Sequence, residues 1–133
     1  MSFLPIAASV PVVVAGATML IPSGGKNHLF VVVYNPRVVN GVQKVLLVPF
    51  ETIIPKCDNS CLISAGEHSF INHSSYMGYP HARSELLNHV VQCLSNGSYG
   101  ASYTPVSNGL LARNQSGYSS TKRVPRFIKS DWP

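Results

Sequence analysis

Between residues 67 and 83 the chain gathers side chains that can move protons or hold phosphate: Glu67, His68, His73, Tyr76, Tyr79, His81 and Arg83 fall within seventeen positions. Only 11% of all residues are charged, so the cluster stands apart from its surroundings. His68 and His73 lie five residues apart in a segment that begins with Gly66. A loop there can turn both imidazoles, together with Arg83, toward one groove. Tyr76 and Tyr79 offer ring faces on which unpaired bases stack. The same residues also suit a hydrogen-bonded loop that seals a small β fold, every polar atom satisfied within it.

Cys57-x3-Cys61 followed by His68-x4-His73 offers two thiolates and two imidazoles, a donor set that zinc accepts. The six residues between Cys61 and His68 are short for a zinc finger, and the thiols are expected unliganded. Cys93 reads as a small buried apolar residue. Gly24-Gly25 lacks the spacing of a phosphate-binding loop, and there is no Gly-x-Ser-x-Gly elbow, which weakens nucleoside-triphosphatase and hydrolase readings. No metal and no other cofactor is expected.

The elements that must carry these groups read as strands. The runs 12–21, 28–34 and 42–50 are rich in Val, Leu, Ile and Phe and are bounded by Gly, Pro or Asn, the signature of β-strands between chain reversals. Their connections are short, at Pro22-Ser23-Gly24-Gly25 and over 35–41, so the three strands are expected as antiparallel neighbours. A short fourth strand includes Leu62 and Ile63, and residues 75–83 suggest another. Leu86, Leu87, Val90, Val91 and Leu94 repeat at helical spacing behind a candidate cap at Ser84. Residues 95–107 read as a loop, and 105–113 as the start of a short helix with Pro105 in its first turn.

A chain of 133 residues is long enough to bury a core as one domain, 1–133, without staples. The formal charge is +5, and five of the ten basic residues lie between Arg113 and Lys129. A basic tail over about 113–133 is therefore expected, a regional excess that favours anionic partners such as nucleic acid. Three cysteines form an odd set, unlike the disulfide framework of a secreted domain, and point to a cytoplasmic protein. The first 25 residues carry no side-chain charge, but Pro5, Pro11 and Pro22 interrupt the apolar run and no basic segment precedes it. Neither a signal peptide nor a membrane association is expected.

Met19-Leu20-Ile21-Pro22-Ser23-Gly24, His28-Leu29-Phe30-Val31-Val32-Val33, Val45-Leu46-Leu47-Val48-Pro49-Phe50-Glu51-Thr52 and Gly66-Glu67-His68-Ser69-Phe70-Ile71-Asn72-His73-Ser74-Ser75-Tyr76 follow one another along the chain. In that order these four stretches resemble a small bacterial family within or near the PemK/MazF toxin group. The likeness covers about residues 15–83, with an echo at Val106-Ser107-Asn108-Gly109-Leu110. It implies a mainly β fold, a small SH3-like antiparallel barrel with one or two short helices. It also implies endoribonuclease activity without a metal, because members of that group cut RNA that way.

Metal-free RNA cleavage uses the 2′-hydroxyl of the substrate as nucleophile, so the protein supplies a base, an acid and a cation for the crowded phosphorane. In the toxin group an arginine just before the second strand and a threonine after the third carry this role. Here His28 stands at the arginine position, with Lys26 two residues earlier, and Thr52 at the threonine position. As an imidazole, His28 can act as base or acid, while Lys26 can hold phosphate. The resulting catalytic set is His28, Thr52, His73 and Arg83, with Lys26, His68, Tyr76 and Tyr79 as the substrate-binding set. Alternatively His28 only opens a strand and Thr52 only closes a turn. Two functions follow: a toxin-type endoribonuclease acting on single-stranded RNA, or a non-catalytic SH3-like module that binds a protein or nucleic acid. RNA and an antitoxin-like protein are the implied partners, and a homodimer stays open.

Overall fold

The computed structural model describes residues 12–101 and 104–133. Two tight turns start the sheet. Gly24 and Gly25 both take positive φ, 60° and 83°, the left-handed pair that matches a two-residue hairpin to strand twist. They join β1 (Thr18–Ser23) to β2 (Lys26–Val32). Asn40 and Gly41 repeat the device between β3 (Arg37–Val39) and β4 (Val42–Thr52). The chain continues through β5 (Leu62–Ile63), β6 (Ser75–Met77), β7 (Arg83–Leu86), α1 (Leu87–Ser95), β8 (Gly100–Ala101), α2 (Asn108–Ser120) and α3 (Arg126–Asp131). All pairings are antiparallel. The strands run β5-β6-β4-β2-β1-β8, with β3 and β7 also on β4. This is a small, mainly antiparallel β fold of barrel-like form whose strand path stays open. The three apolar runs are neighbours, as expected.

β4 carries the sheet. Leu47 faces Val32 of β2 on one edge and Arg83 of β7 on the other, and farther along Glu51 pairs with Tyr76 of β6. Side chains alternate between faces along each strand. Leu29, Val31, Leu46, Val48 and Phe50 therefore share one face, buried with Leu110 and Tyr118 of α2, Ile128 of α3 and Trp132. Met19, Ile21, Phe30, Val32, Val45 and Leu47 share the other, buried with Val90 and Cys93 of α1 and with Tyr99. Cover on both faces explains why the strands read as unbroken apolar runs rather than as alternation.

Several sequence expectations shift here. The first run does not extend from residue 12: Gly16, at φ 93°, turns the chain, and β1 begins at Thr18. The strand expected over 75–83 divides into β6 and β7, because Pro80 cannot donate to a ladder and Tyr79–His81 forms a 3-10 turn. Ser84 does not cap α1; its hydroxyl bonds Asp131 instead, and α1 follows Leu86 without a side-chain cap. The loop over 95–107 contains β8. α2 begins at Asn108, where the Ser107 hydroxyl accepts the Leu110 N–H at 3.1 Å, and it runs past Arg113 to Ser120. The region expected as a basic tail over about 113–133 is folded: α2 and α3 bring Tyr118, Ile128 and Trp132 into the core. Burial of those three outweighs the charge around them. Among the described residues there are thus three α-helices rather than one or two, none of them long and apolar enough to cross a membrane.

Carboxylates fasten the helical cover to the sheet. Asp131 accepts from Lys44 Nζ of β4 at 3.0 Å and from Ser84 Oγ of β7 at 2.8 Å, and these bonds lower its pKa. The Arg113 guanidinium does the same for Glu67. At Asp58 burial pushes upward, but hydrogen bonds from Ser60 and Thr121 win and the pKa falls. A depressed carboxylate stabilises the fold above its unfolded pKa, about 4, and that stability is lost as pH falls through the folded value. The melting temperature is expected to hold from neutral pH down to about pH 4 and then to drop. Asp131→Asn should lower it at neutral pH and flatten the acid drop. A rise in melting temperature below about pH 4 would contradict this account.

Candidate functional site

The face covered by α1 is apolar at one end and changes character at the other. Along β2 its residues are Val32, Phe30, His28 and Lys26; along β4 they are Val45, Leu47, Pro49 and Glu51; along β1 they are Met19, Ile21 and Ser23. The β2–β4 ladder ends at Phe30 and Pro49, and two residues farther on each strand stand His28 and Glu51. β7 adds Arg83, opposite Leu47. Beyond the helix, then, four strands deliver polar groups to one open end of the sheet.

Two adjoining clefts occupy that end. The first, about 480 Å³, has a floor of Phe30 and Pro49 and walls from Lys26, His28, Glu51, His81 and Arg83. The second, about 730 Å³, passes round the strand ends and is lined by Thr52, Ile54, Phe70, His73 and Tyr76, again with Lys26, His28 and Glu51. Lys26, His28 and Glu51 thus belong to both. Of the expected catalytic set, His28, Thr52 and His73 line the second cleft, and His28 and Arg83 the first. Alternation puts Thr52 on the opposite face of β4 from Glu51, so the four do not share one face.

Glu51 is the group the sequence did not single out. Its Oε1 accepts the Tyr76 hydroxyl at 2.7 Å, and its Oε2 lies 2.7 Å from His81 Nδ1. Cross-strand pairing with Tyr76 and the 3-10 turn that presents His81 build this network. Burial, reinforced by the bond to Glu51, pushes the Tyr76 hydroxyl up to about 12, so it stays a neutral donor. Gly78 permits the arrangement, since a Cβ there would stand 2.6 Å from the carboxylate carbon of Glu51. The His81 side chain is 66% exposed, which leaves Nε2 open to a ligand. Arg83 lies over the Phe30 ring at 5.0 Å and bonds Glu85 at 3.3 Å, which holds its guanidinium at the cleft wall.

Two expected binding residues lie elsewhere. Tyr79 is fully buried and donates to the Asn114 carbonyl at 2.7 Å, so no base can stack on it. His68 is buried, its Nε2 2.7 Å from the Thr104 carbonyl and its Nδ1 accepting the Phe70 N–H. The sealing role weighed for this loop fits His68, while His73, two residues beyond buried Ile71, is exposed. Glu67 is taken by Arg113. Cys61 is buried, and the Asn114 amide donates toward its sulfur at 3.6 Å; among the described residues no three His, Cys, Asp or Glu side chains are grouped to hold a metal ion.

No family model matches the chain, and no curated protein matches it.

Proposed function

We propose that the chain is a toxin-type endoribonuclease that cleaves single-stranded RNA at the junction of the two clefts, with the 2′-hydroxyl of the substrate as nucleophile. One observation carries this reading: a carboxylate–imidazole pair, Glu51 and His81 at 2.7 Å, opens onto a cleft whose other walls are His28, Lys26 and Arg83. Glu51 accepts the Nδ1 proton of His81, which leaves Nε2 to take the proton from the 2′-hydroxyl. The 2′-oxygen attacks phosphorus, the 5′-oxygen leaves with a proton from His28, and Lys26 and Arg83 face the charge that grows on the phosphorane. The products are a 2′,3′-cyclic phosphate and a 5′-hydroxyl. The second cleft, with His73, Thr52 and the exposed Phe70 ring, suits an adjacent unpaired nucleotide. An antitoxin-like protein that covers both clefts would hold such an enzyme inactive.

The test is a varied pool of single-stranded RNA incubated with the purified protein. Cyclic-phosphate ends are expected, and His28→Ala should cut turnover by about a hundredfold with an unchanged melting curve. Expression of the chain alone should arrest growth, and H28A should relieve the arrest. Binding without any cutting across the pool would replace this reading with the non-catalytic module.

A further inference from the structure

Two residues along the chain from the second cleft, a basic hollow opens. Ile54, 56% exposed, lines that cleft, and the Cys57 N–H returns to its carbonyl at 3.2 Å, a turn that sets Lys56 directly beyond it. There a third hollow of about 570 Å³ is lined by Lys56, Asp58, Ser60, Thr121, Lys122 and Arg123. Two chain segments far apart in sequence build it. Arg123 donates to the Lys56 carbonyl at 3.3 Å, and the Thr121 hydroxyl donates to Asp58 Oδ2 at 2.6 Å. Asp58 also accepts the Ser60 N–H at 2.9 Å and is only 5% exposed. Its charge is spent inside the hollow, beside Arg123.

The distribution of cations is uneven. Lys44, Arg83 and Arg113 have carboxylate partners, Arg37 and Lys129 lie over aromatic rings, and Arg123 faces Asp58. Among the described residues, Lys26, Lys56, Lys122 and Arg126 have neither a carboxylate nor a ring. Lys26 stands where the two clefts meet, and Lys56 and Lys122 stand at the far hollow. Exposed Phe70 and Ile54 line the second cleft with Lys26, a surface on which a base can rest.

We infer that Lys56 and Lys122 form a ledge that holds backbone phosphates of the RNA strand as it leaves the second cleft, so that the substrate is a single strand several nucleotides long. This rests on the RNA reading above. A phosphate ledge adds affinity without touching the bond that breaks, and its contacts release counterions.

The variant is Lys56→Ala combined with Lys122→Ala, both side chains exposed. The first probe is a 2′-O-methylated single-stranded RNA, which cannot be cut, titrated by fluorescence anisotropy across a salt series. Each lost phosphate contact should reduce the slope of log affinity against log salt by about 0.7, hence about 1.4 for the pair. The second probe is cleavage: KM for a long strand should rise by about tenfold with kcat unchanged, as for a contact made equally in ground and transition states. A dinucleotide, too short to reach the ledge, should be cut as by the wild type. An unchanged salt slope overturns the ledge, as does failure of the wild type to bind the uncleavable strand at low salt. A loss confined to an acidic polypeptide such as polyglutamate, with RNA binding intact, would also overturn it and assign the surface to a protein partner. If the wild type cuts no RNA, the nuclease reading fails while the anisotropy still decides the ledge. Equal melting temperatures for variant and wild type exclude a role limited to closing the end of α2.

Discussion

Glu51→Gln is expected to lower kcat on single-stranded RNA by about a hundredfold and to leave KM unchanged or smaller. The amide has the size of the carboxylate and can still bond both Tyr76 and His81, so the clefts keep their shape. What disappears is the negative charge 2.7 Å from His81 Nδ1. In the proposed mechanism His81 becomes an imidazolium on taking the 2′-hydroxyl proton, and a carboxylate beside it stabilises that charge where an amide does not. Glu51 is on this reading a positioning residue that acts through His81. The direction of KM separates this from mere disturbance of the site, because removing an anion from a groove proposed to take a polyanion should favour binding. A variant that keeps full kcat would remove the Glu51–His81 pair from the mechanism, and one whose KM rises with its kcat intact would mark Glu51 as a packing residue.

The second large effect is on stability. Gly117→Ala should lower the melting temperature by roughly 10 °C, although alanine inside a helix is normally worth about 1 kcal/mol over glycine. A Cβ at 117 would collide with the Tyr79 hydroxyl and stand 3.0 Å from Cys61 Cβ and 3.1 Å from the Ser60 carbonyl. Tyr79 cannot step aside cheaply: it is fully buried, bonds the Asn114 carbonyl, and meets the Tyr118 ring edge-on at 6.2 Å. Overpacking costs about 1–3 kcal/mol, and an unpaired buried hydroxyl about 1–3 kcal/mol more. Together these exceed the helical gain. Thermal melts decide it, and an unchanged or higher melting temperature would refute the collision. Adding Tyr79→Phe should return part of the loss, a coupling that two independent sites would not show.

The central strands were legible because both faces of the sheet are covered, so Leu29 to Val33 and Val45 to Phe50 read as unbroken apolar runs. The β3–β4 hairpin carried a signal that the reading of 35–41 as a connection passed over: Asn40-Gly41 is a favoured pair for a two-residue turn. α2 was harder. Its buried positions, Leu110, Asn114, Gly117 and Tyr118, follow helical spacing, but two of them are polar or small, so no hydrophobic stripe marks its inner face. In α3 the surrounding basic residues masked the burial of Ile128 and Trp132. At the site, residue type drew attention to His28, His73, His81 and Arg83, and all four line the clefts. It could not separate them from His68 and Tyr79, because chemical identity says nothing about which way a loop side chain turns. Glu51 was hidden by its neighbours at the end of an apolar strand. Its partners Tyr76 and His81 reach it through cross-strand register and a 3-10 turn, neither of which a local pattern encodes.

β4 borrows one edge from residues that precede it closely and the other from β6 and β7, reached only after a long excursion of chain. The first hairpins close short loops and can form early, while the second edge must wait for a costlier encounter. Lys26 and His28 ride on the early part; Tyr76, His81 and Arg83 arrive with the late part. A chain stopped before that second edge docks would own cations and an imidazole but no paired carboxylate, so the proposed chemistry would wait for the last edge.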